Sequence, residues 1–376
     1  MASKDTLVLG TRKGLLLLER KNGKWEFTHE SFPGVPVSYA TLDPRTDRLW
    51  ACLDHGHWGQ KLHCSDDMGK TWREITAPKY PEDARIISAE VAFSEDAATS
   101  EGVPAALSYM WVVQPGPEDK PDRLYIGTEP GGLFQSDDNG ETFQLVEGLW
   151  NHPSRLRNWF GGGRDYAGVH SVFVDPRNSD RVLVGVSVGG VFETTDGGQT
   201  WCPRNQGLYA DFLPDPYAEV GHDPHLLVPA PTNPDVLWQQ NHCGIFRSTD
   251  GAQTWENITQ EGGPAYFGFA IAVDEKDPET AWVVPAVSAE FRMTVDRAMC
   301  VSRTEDGGKT WTALRNGLPQ ENCYDYAFRH ALDIKGDTLV FGTVTGNLFV
   351  SDDRGDNWQN IAHFLPQVYS VRFIRQ

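Results

Sequence analysis

Apolar residues fall into short runs separated by Gly, Pro, Asp and Asn, and the runs recur in the same order along the chain. Segments such as His170-Ser-Val-Phe-Val-Asp-Pro176, Phe269-Ala-Ile-Ala-Val-Asp274 and His330-Ala-Leu-Asp-Ile334 open each unit. A β-branched run follows, as in Arg181-Val-Leu-Val-Gly-Val186 and Thr338-Leu-Val-Phe-Gly-Thr343. Next comes a strand marked by Gly and Phe: Gly131-Gly-Leu-Phe134, Gly189-Gly-Val-Phe192, Cys243-Gly-Ile-Phe246 and Gly346-Asn-Leu-Phe349. Runs this short, rich in β-branched and aromatic residues and bounded by turn formers, predict strands. Each unit is therefore expected to hold four of them, A to D, from the inside outward.

An octet recurs six times in the expected C–D turns, as in Ser65-Asp-Asp-Met-Gly-Lys-Thr-Trp72 and Thr304-Glu-Asp-Gly-Gly-Lys-Thr-Trp311. Its third residue is Asp67, Asp138, Asp196, Asp250, Asp306 or Asp353, at separations of 71, 58, 54, 56 and 47. The carboxylate can accept backbone N–H groups across a tight turn, and the Gly two places on permits a positive φ. Ala252 replaces that Gly in the fourth copy, where a strained or rearranged turn is expected, and Asn357 replaces Thr in the last. The octet resembles the Asp box, or BNR repeat, of sialidases and related propellers.

A seventh unit at the N-terminus lacks both the octet and a strand A. Val368-Tyr-Ser-Val-Arg-Phe-Ile374 supplies the missing pattern. The expectation is one all-β domain over residues 1–376, a seven-bladed β-propeller with four-stranded antiparallel blades, closed by the C-terminal strand on the N-terminal blade. Closure removes open sheet edges. The blades are expected at about 5–30 with 368–374, then 37–76, 88–146, 169–204, 224–258, 268–314 and 329–360. The stretch 96–122 is expected as an excursion between strands A and B of the third.

Composition agrees with this reading: 13 Trp, 37 Gly and 24 Pro suit many tight turns with large rings between sheets. A net charge of −19 disfavours nucleic acid and anionic membranes as partners. The opening Met-Ala-Ser-Lys has no secretory pattern, and the six cysteines show no CxxC spacing. A cytoplasmic location with reduced thiols is expected.

In this topology the D–A and B–C connections share one face, opposite the octets. Aligning the A strands puts His170, His225 and His330 at one position, matched elsewhere by Ser38, Ala89, Phe269 and Tyr369. Three imidazoles at the mouth of the channel, with His242 or His57 from a B–C loop as a fourth, are the candidate ligands for a divalent transition metal: Zn, Fe, Cu or Ni. Alternatively each imidazole bonds a neighbouring loop and has a structural role. Asp223, Glu290 and Asp325 are candidate catalytic carboxylates. His57, Trp159, Arg164, Tyr166, Arg292, Tyr324 and Arg329 are candidate contacts for a small polar molecule, a sugar or a carboxylate.

The chain resembles bacterial Asp-box propellers labelled exo-sialidase or glycosyl hydrolase. The Arg-Ile-Pro motif of sialidases is absent, and seven blades are expected where sialidases have six. The arginines Arg12, Arg164, Arg292 and Arg329 match no sialidase motif position by position, so no sialidase residue is carried over. Three functions are weighed: a metal-dependent hydrolase or lyase, a metal-free glycoside hydrolase using paired carboxylates, and a protein-binding scaffold with an exposed patch at Trp150, Trp159 and Phe160.

Overall fold

The structure, a computed structural model, describes residues 5–87, 91, 100–260 and 263–375. Seven antiparallel sheets of four strands each surround a central axis. The first sheet joins Thr6–Thr11, Gly14–Lys21 and Lys24–Ser31 to the C-terminal strand Val368–Phe373. Leu7 faces Phe373 and Leu9 faces Val371 across that closure. The other innermost strands are Val37–Asp43, Tyr109–Pro115, Val169–Val174, Pro224–Ala230, Gly268–Val273 and Leu332–Lys335. Among the described residues no helix is long and apolar enough to cross a membrane.

The core is a set of layers between neighbouring sheets. Trp50, Trp238 and Trp282, from second strands, and Phe134, Phe192, Phe246 and Phe349, from third strands, are almost wholly buried. Each such side chain contributes about 1.5–3 kcal/mol by leaving water. One cluster runs from Leu7 and Leu9 through Val371 to Val340 and Leu348, so the closing strand is packed against the last blade.

The octet turns share one hydrogen-bond pattern. In the first, the Gly69 N–H donates to Ser65 Oγ at 2.8 Å, the Thr71 N–H to Asp67 Oδ1 at 2.8 Å, and Thr71 Oγ1 to Asp67 Oδ2 at 2.7 Å. Ala252 keeps the pattern: its φ is 69° and its N–H donates to Ser248 Oγ at 2.9 Å. The fourth turn is thus not rearranged, although Ala sits in the left-handed region. Asn357 Nδ2 donates to Asp353 Oδ2 at 2.6 Å, doing what Thr does elsewhere.

The third blade corrects the sequence reading. Its innermost strand is Tyr109–Pro115, not a segment near 88, and Ala89 lies outside the described residues. Residues 100–108 therefore precede strand A and belong to the connection on the mouth face, where Val103–Pro104 pairs with Arg85–Ile86. Ala and Pro-rich sequence hid the true strand, whose alternation begins only at Tyr109.

Candidate functional site

The innermost strands share a defect at the mouth of the channel. The register slips at Ser38, Trp111, His170, His225, across Phe269–Ala270, and at Tyr369. An extra residue at such a bulge is left unpaired and its side chain is re-aimed. His330 takes the seventh position, bridging Ser370 just before its strand. The equivalence expected from sequence holds, with Trp111 in place of Ala89.

Several of these side chains lace blades together. Ser38 Oγ donates to the Met110 carbonyl at 2.9 Å. His170 Nε2 donates to the Pro224 carbonyl at 2.7 Å, and His225 Nδ1 to the Gly268 carbonyl at 2.6 Å. Each accepting carbonyl immediately precedes the equivalent bulged residue of the next blade. His170 also spends Nδ1 on Ser171 Oγ at 2.9 Å, so neither nitrogen is left for a ligand. His330 sets Nδ1 against the Arg372 guanidinium at 3.0 Å. Burial pushes both His170 and His330 well below the usual imidazole range.

The three strand-opening imidazoles therefore do not converge on one ion. Their positions are spread around a ring, and the ring bonds turn His170 into the wall. What does converge is Asp223, His225 and His242, whose ligand atoms lie within 4.8 Å of one another. Asp223 stands just before strand A of the fifth blade, and His242 lies in that blade's B–C loop, docked by its N–H on the Asp223 carbonyl at 2.9 Å. Asp223 Oδ2 is 3.4 Å from both His225 Nε2 and His242 Nδ1, while Oδ1 accepts the Val188 N–H at 3.1 Å.

That spacing is informative. Charge-assisted N–H···O bonds are about 2.7–2.9 Å long. Ligand atoms around a tetrahedral ion with bonds of about 2.0–2.1 Å stand about 3.3–3.4 Å apart. Burial would raise the Asp223 carboxyl, but the two imidazoles, when protonated, outweigh it and hold it well below the usual carboxylate range. Asp223 in turn raises His242, against the opposing effect of burial. The rings are wedged in place: Phe269 stacks on His225 at 4.6 Å and Phe212 stands edge-on to His242 at 5.1 Å.

The triad opens into a cavity of about 660 Å³ at the channel mouth. Its wall includes six of the seven ring positions, His170 being the exception, together with Tyr109, Phe160 and Phe328. Of the expected contacts, Arg164, Tyr166, Arg292 and Arg329 line it, as does Glu290, expected as a catalytic carboxylate. Arg164 is paired with the buried Glu129 and sits 4.3 Å from the Tyr109 ring centre. Glu290 is exposed and held below the usual range by the Ser288 hydroxyl.

Other expected residues lie elsewhere. Asp325 is buried outside the cavity wall, its Oδ2 accepting from Thr345 Oγ1 at 2.6 Å and Asn347 Nδ2 at 3.1 Å, so it anchors a loop. Trp159 is buried against Phe192 and does not reach the cavity. His57 packs on Trp58, and the exposed Tyr324 lies near Arg297; neither lines the cavity. The exposed patch expected at Trp150 and Trp159 does not exist, because both rings are buried. Trp111, Tyr109 and Phe212 were missed; the first two follow from the misplaced third blade, and Phe212 carries no sequence signal.

The BNR-Asp box repeat family matches residues 348–361, the last of the six turns. This is an Asp-box propeller. The propeller is 28% identical over 230 residues to the oligoxyloglucan-reducing end-specific xyloglucanase of Emericella nidulans, a match covering 51% of this chain and 25% of that protein. A xyloglucanase of a Paenibacillus species is 23% identical over 224 residues, covering 52% and 20%. The chain spans about a quarter of the length of these curated relatives. An ancestral GH74 enzyme superposes with a TM-score of 0.53 at 14% identity, over 90% of this chain and 38% of that one. The periplasmic gluconolactonase of Pseudomonas aeruginosa does so at 0.56 and 11%, over 99% of both chains. These two structures share the fold.

Proposed function

We propose that this propeller is a hydrolase of a small, carbohydrate-like molecule held in the axial cavity, with Asp223, His225 and His242 holding a divalent transition metal. The observation that carries the reading is the pair of 3.4 Å separations around Asp223 Oδ2. Two imidazoles and one carboxylate suit Zn or Fe. Such an ion would polarise a substrate oxygen and lower the pKa of a bound water. The chain's own groups do the rest. Phe269 and Phe212 fix the imidazoles, and the ionised Glu290 at the rim can accept a proton. The xyloglucanase relatives support a carbohydrate substrate. All six cysteines are free, which supports a reducing location.

The same relatives favour a second reading, a metal-free glycoside hydrolase. That chemistry needs one carboxyl kept protonated near neutral pH. Of the carboxylates that line the cavity, Asp54, Asp223 and Glu290, the latter two are pushed the other way. The scaffold reading loses its support with the burial of Trp150 and Trp159.

The test is a panel of small chromogenic glycosides and esters, assayed before and after chelation and again with metal restored. Activity is expected to vanish on chelation, to return with metal, and to be absent in Asp223→Asn. Activity that survives chelation transfers the assignment to the metal-free reading.

A further inference from the structure

Arg329 lines the cavity beside the Asp223 cluster. Its guanidinium carbon lies 4.5 Å from the ring centre of Trp111. Nη1 is buried with no hydrogen-bond partner among the described residues. No carboxylate forms an ion pair with it there, whereas Arg164, on the same wall, is matched to Glu129. Burial lowers Arg329 to about 10, and Asp223 opposes that only in part.

A buried, unpaired cation is costly, and the Trp111 face compensates only a fraction of that cost. The protein as a whole carries a charge of −19, so a buried guanidinium with no ion pair among the described residues, with the exposed Arg292 on the same wall, makes the cavity a place where an anion is drawn inward. Its fork of donors matches a planar oxyanion. The cavity wall is aromatic on this side, with Trp111, Tyr109 and Phe328, which suits the flat face of a sugar.

We propose that Arg329 binds a carboxylate of the substrate, and that the substrate class is therefore a polyhydroxylated monocarboxylate, a sugar acid. Arg329 is the buried guanidinium of the wall without an ion pair among the described residues, Arg164 being paired and Arg292 exposed, and a single buried charge favours carboxylate over the doubly charged phosphate. The assignment rests on the cavity being the substrate site, as proposed above, but not on the metal.

The experiment uses the full chain and two readouts. Melting without ligand compares wild type, Arg329→Met and Arg329→Lys. Calorimetric titration then uses glucuronate, galacturonate and gluconate as probes, with glucose and inorganic phosphate as controls. Removal of an unpaired buried charge is expected to raise the melting temperature of Arg329→Met. At least one of the three sugar acids is expected to bind wild type about tenfold or more tighter than glucose, and to lose that advantage in Arg329→Met. A fall in the melting temperature of Arg329→Met would show that Arg329 is structural and would overturn the assignment. So would a failure of all three acids to bind in an Arg329-dependent way, or Arg329-dependent preference for phosphate. Titrations repeated on metal-free Asp223→Asn separate the two proposals: carboxylate binding retained there leaves the anion site standing whatever becomes of the metal.

Discussion

His225 donates its Nδ1 hydrogen to the carbonyl of Gly268 at 2.6 Å, and a carbonyl can only accept. In the neutral ring Nε2 therefore carries the lone pair, and it is Nε2 that faces Asp223 at 3.4 Å. The bond that laces the fifth blade to the sixth is thus also the bond that selects the tautomer a metal requires.

His170 occupies the same ring position in the preceding blade with both nitrogens engaged. Its replacement by Ala is expected to cost about 1–3 kcal/mol for the buried partners left unsatisfied, and to leave metal content unchanged. Urea denaturation with metal analysis on the same samples checks this. A variant that loses its metal while folded would return His170 to the ligand set.

The octet carboxylates give the fold a dependence on acid. Hydrogen bonds from Thr71 hold Asp67 at about 2, and those from Thr200 do the same for Asp196. A folded value below the unfolded one, about 3.9, stabilises the protein above that unfolded value, and the gain is lost as pH falls towards 2. The urea midpoint of wild type should therefore drop between pH 5 and pH 2. Asp67→Asn should start lower at pH 5 and show a shallower drop. Parallel curves for the two proteins would argue against the carboxylate bonds as the source.

Asn357 tests the interchangeability of the turn residues. Its Nδ2 bond to Asp353 replaces a Thr hydroxyl, so Asn357→Thr is expected to change stability by less than about 0.5 kcal/mol. Asn357→Ala should cost about 0.5–1.5 kcal/mol. Equal effects of the two substitutions in chemical denaturation would deny the bond a role.

Ring closure is expected to dominate global stability. Phe373 is buried in the layer between the first and last blades and faces Leu7. Phe373→Ala should cost about 3–5 kcal/mol, seen as a lower denaturation midpoint. A cost below about 1 kcal/mol would mean that the closing strand is loosely held.

The ring of blades was legible because the octet and the four-run order repeat, and because the orphan strand at 368 matched the strand A that the N-terminal unit lacks. The ring position was legible too: aligning strand starts placed Ser38, His170, His225, Phe269, His330 and Tyr369 together. Which of those side chains is free was not. That depends on bonds such as His170 to Pro224, between residues 54 apart in sequence. Asp223 and His242 meet because a loop N–H docks on the Asp223 carbonyl, a relationship no spacing encodes. The third blade failed because its long entry segment separates strand A from the preceding octet far beyond the usual interval.

The central claim is tested most directly by counting metal ions per chain in protein prepared without chelator and reloaded with zinc. About one ion per chain is expected in wild type, and about a tenth of that or less in Asp223→Asn and His242→Ala, both with native circular dichroism. A wild-type protein that takes up no ion, or variants that hold as much as wild type, would contradict the assignment of Asp223, His225 and His242 as the metal-binding centre.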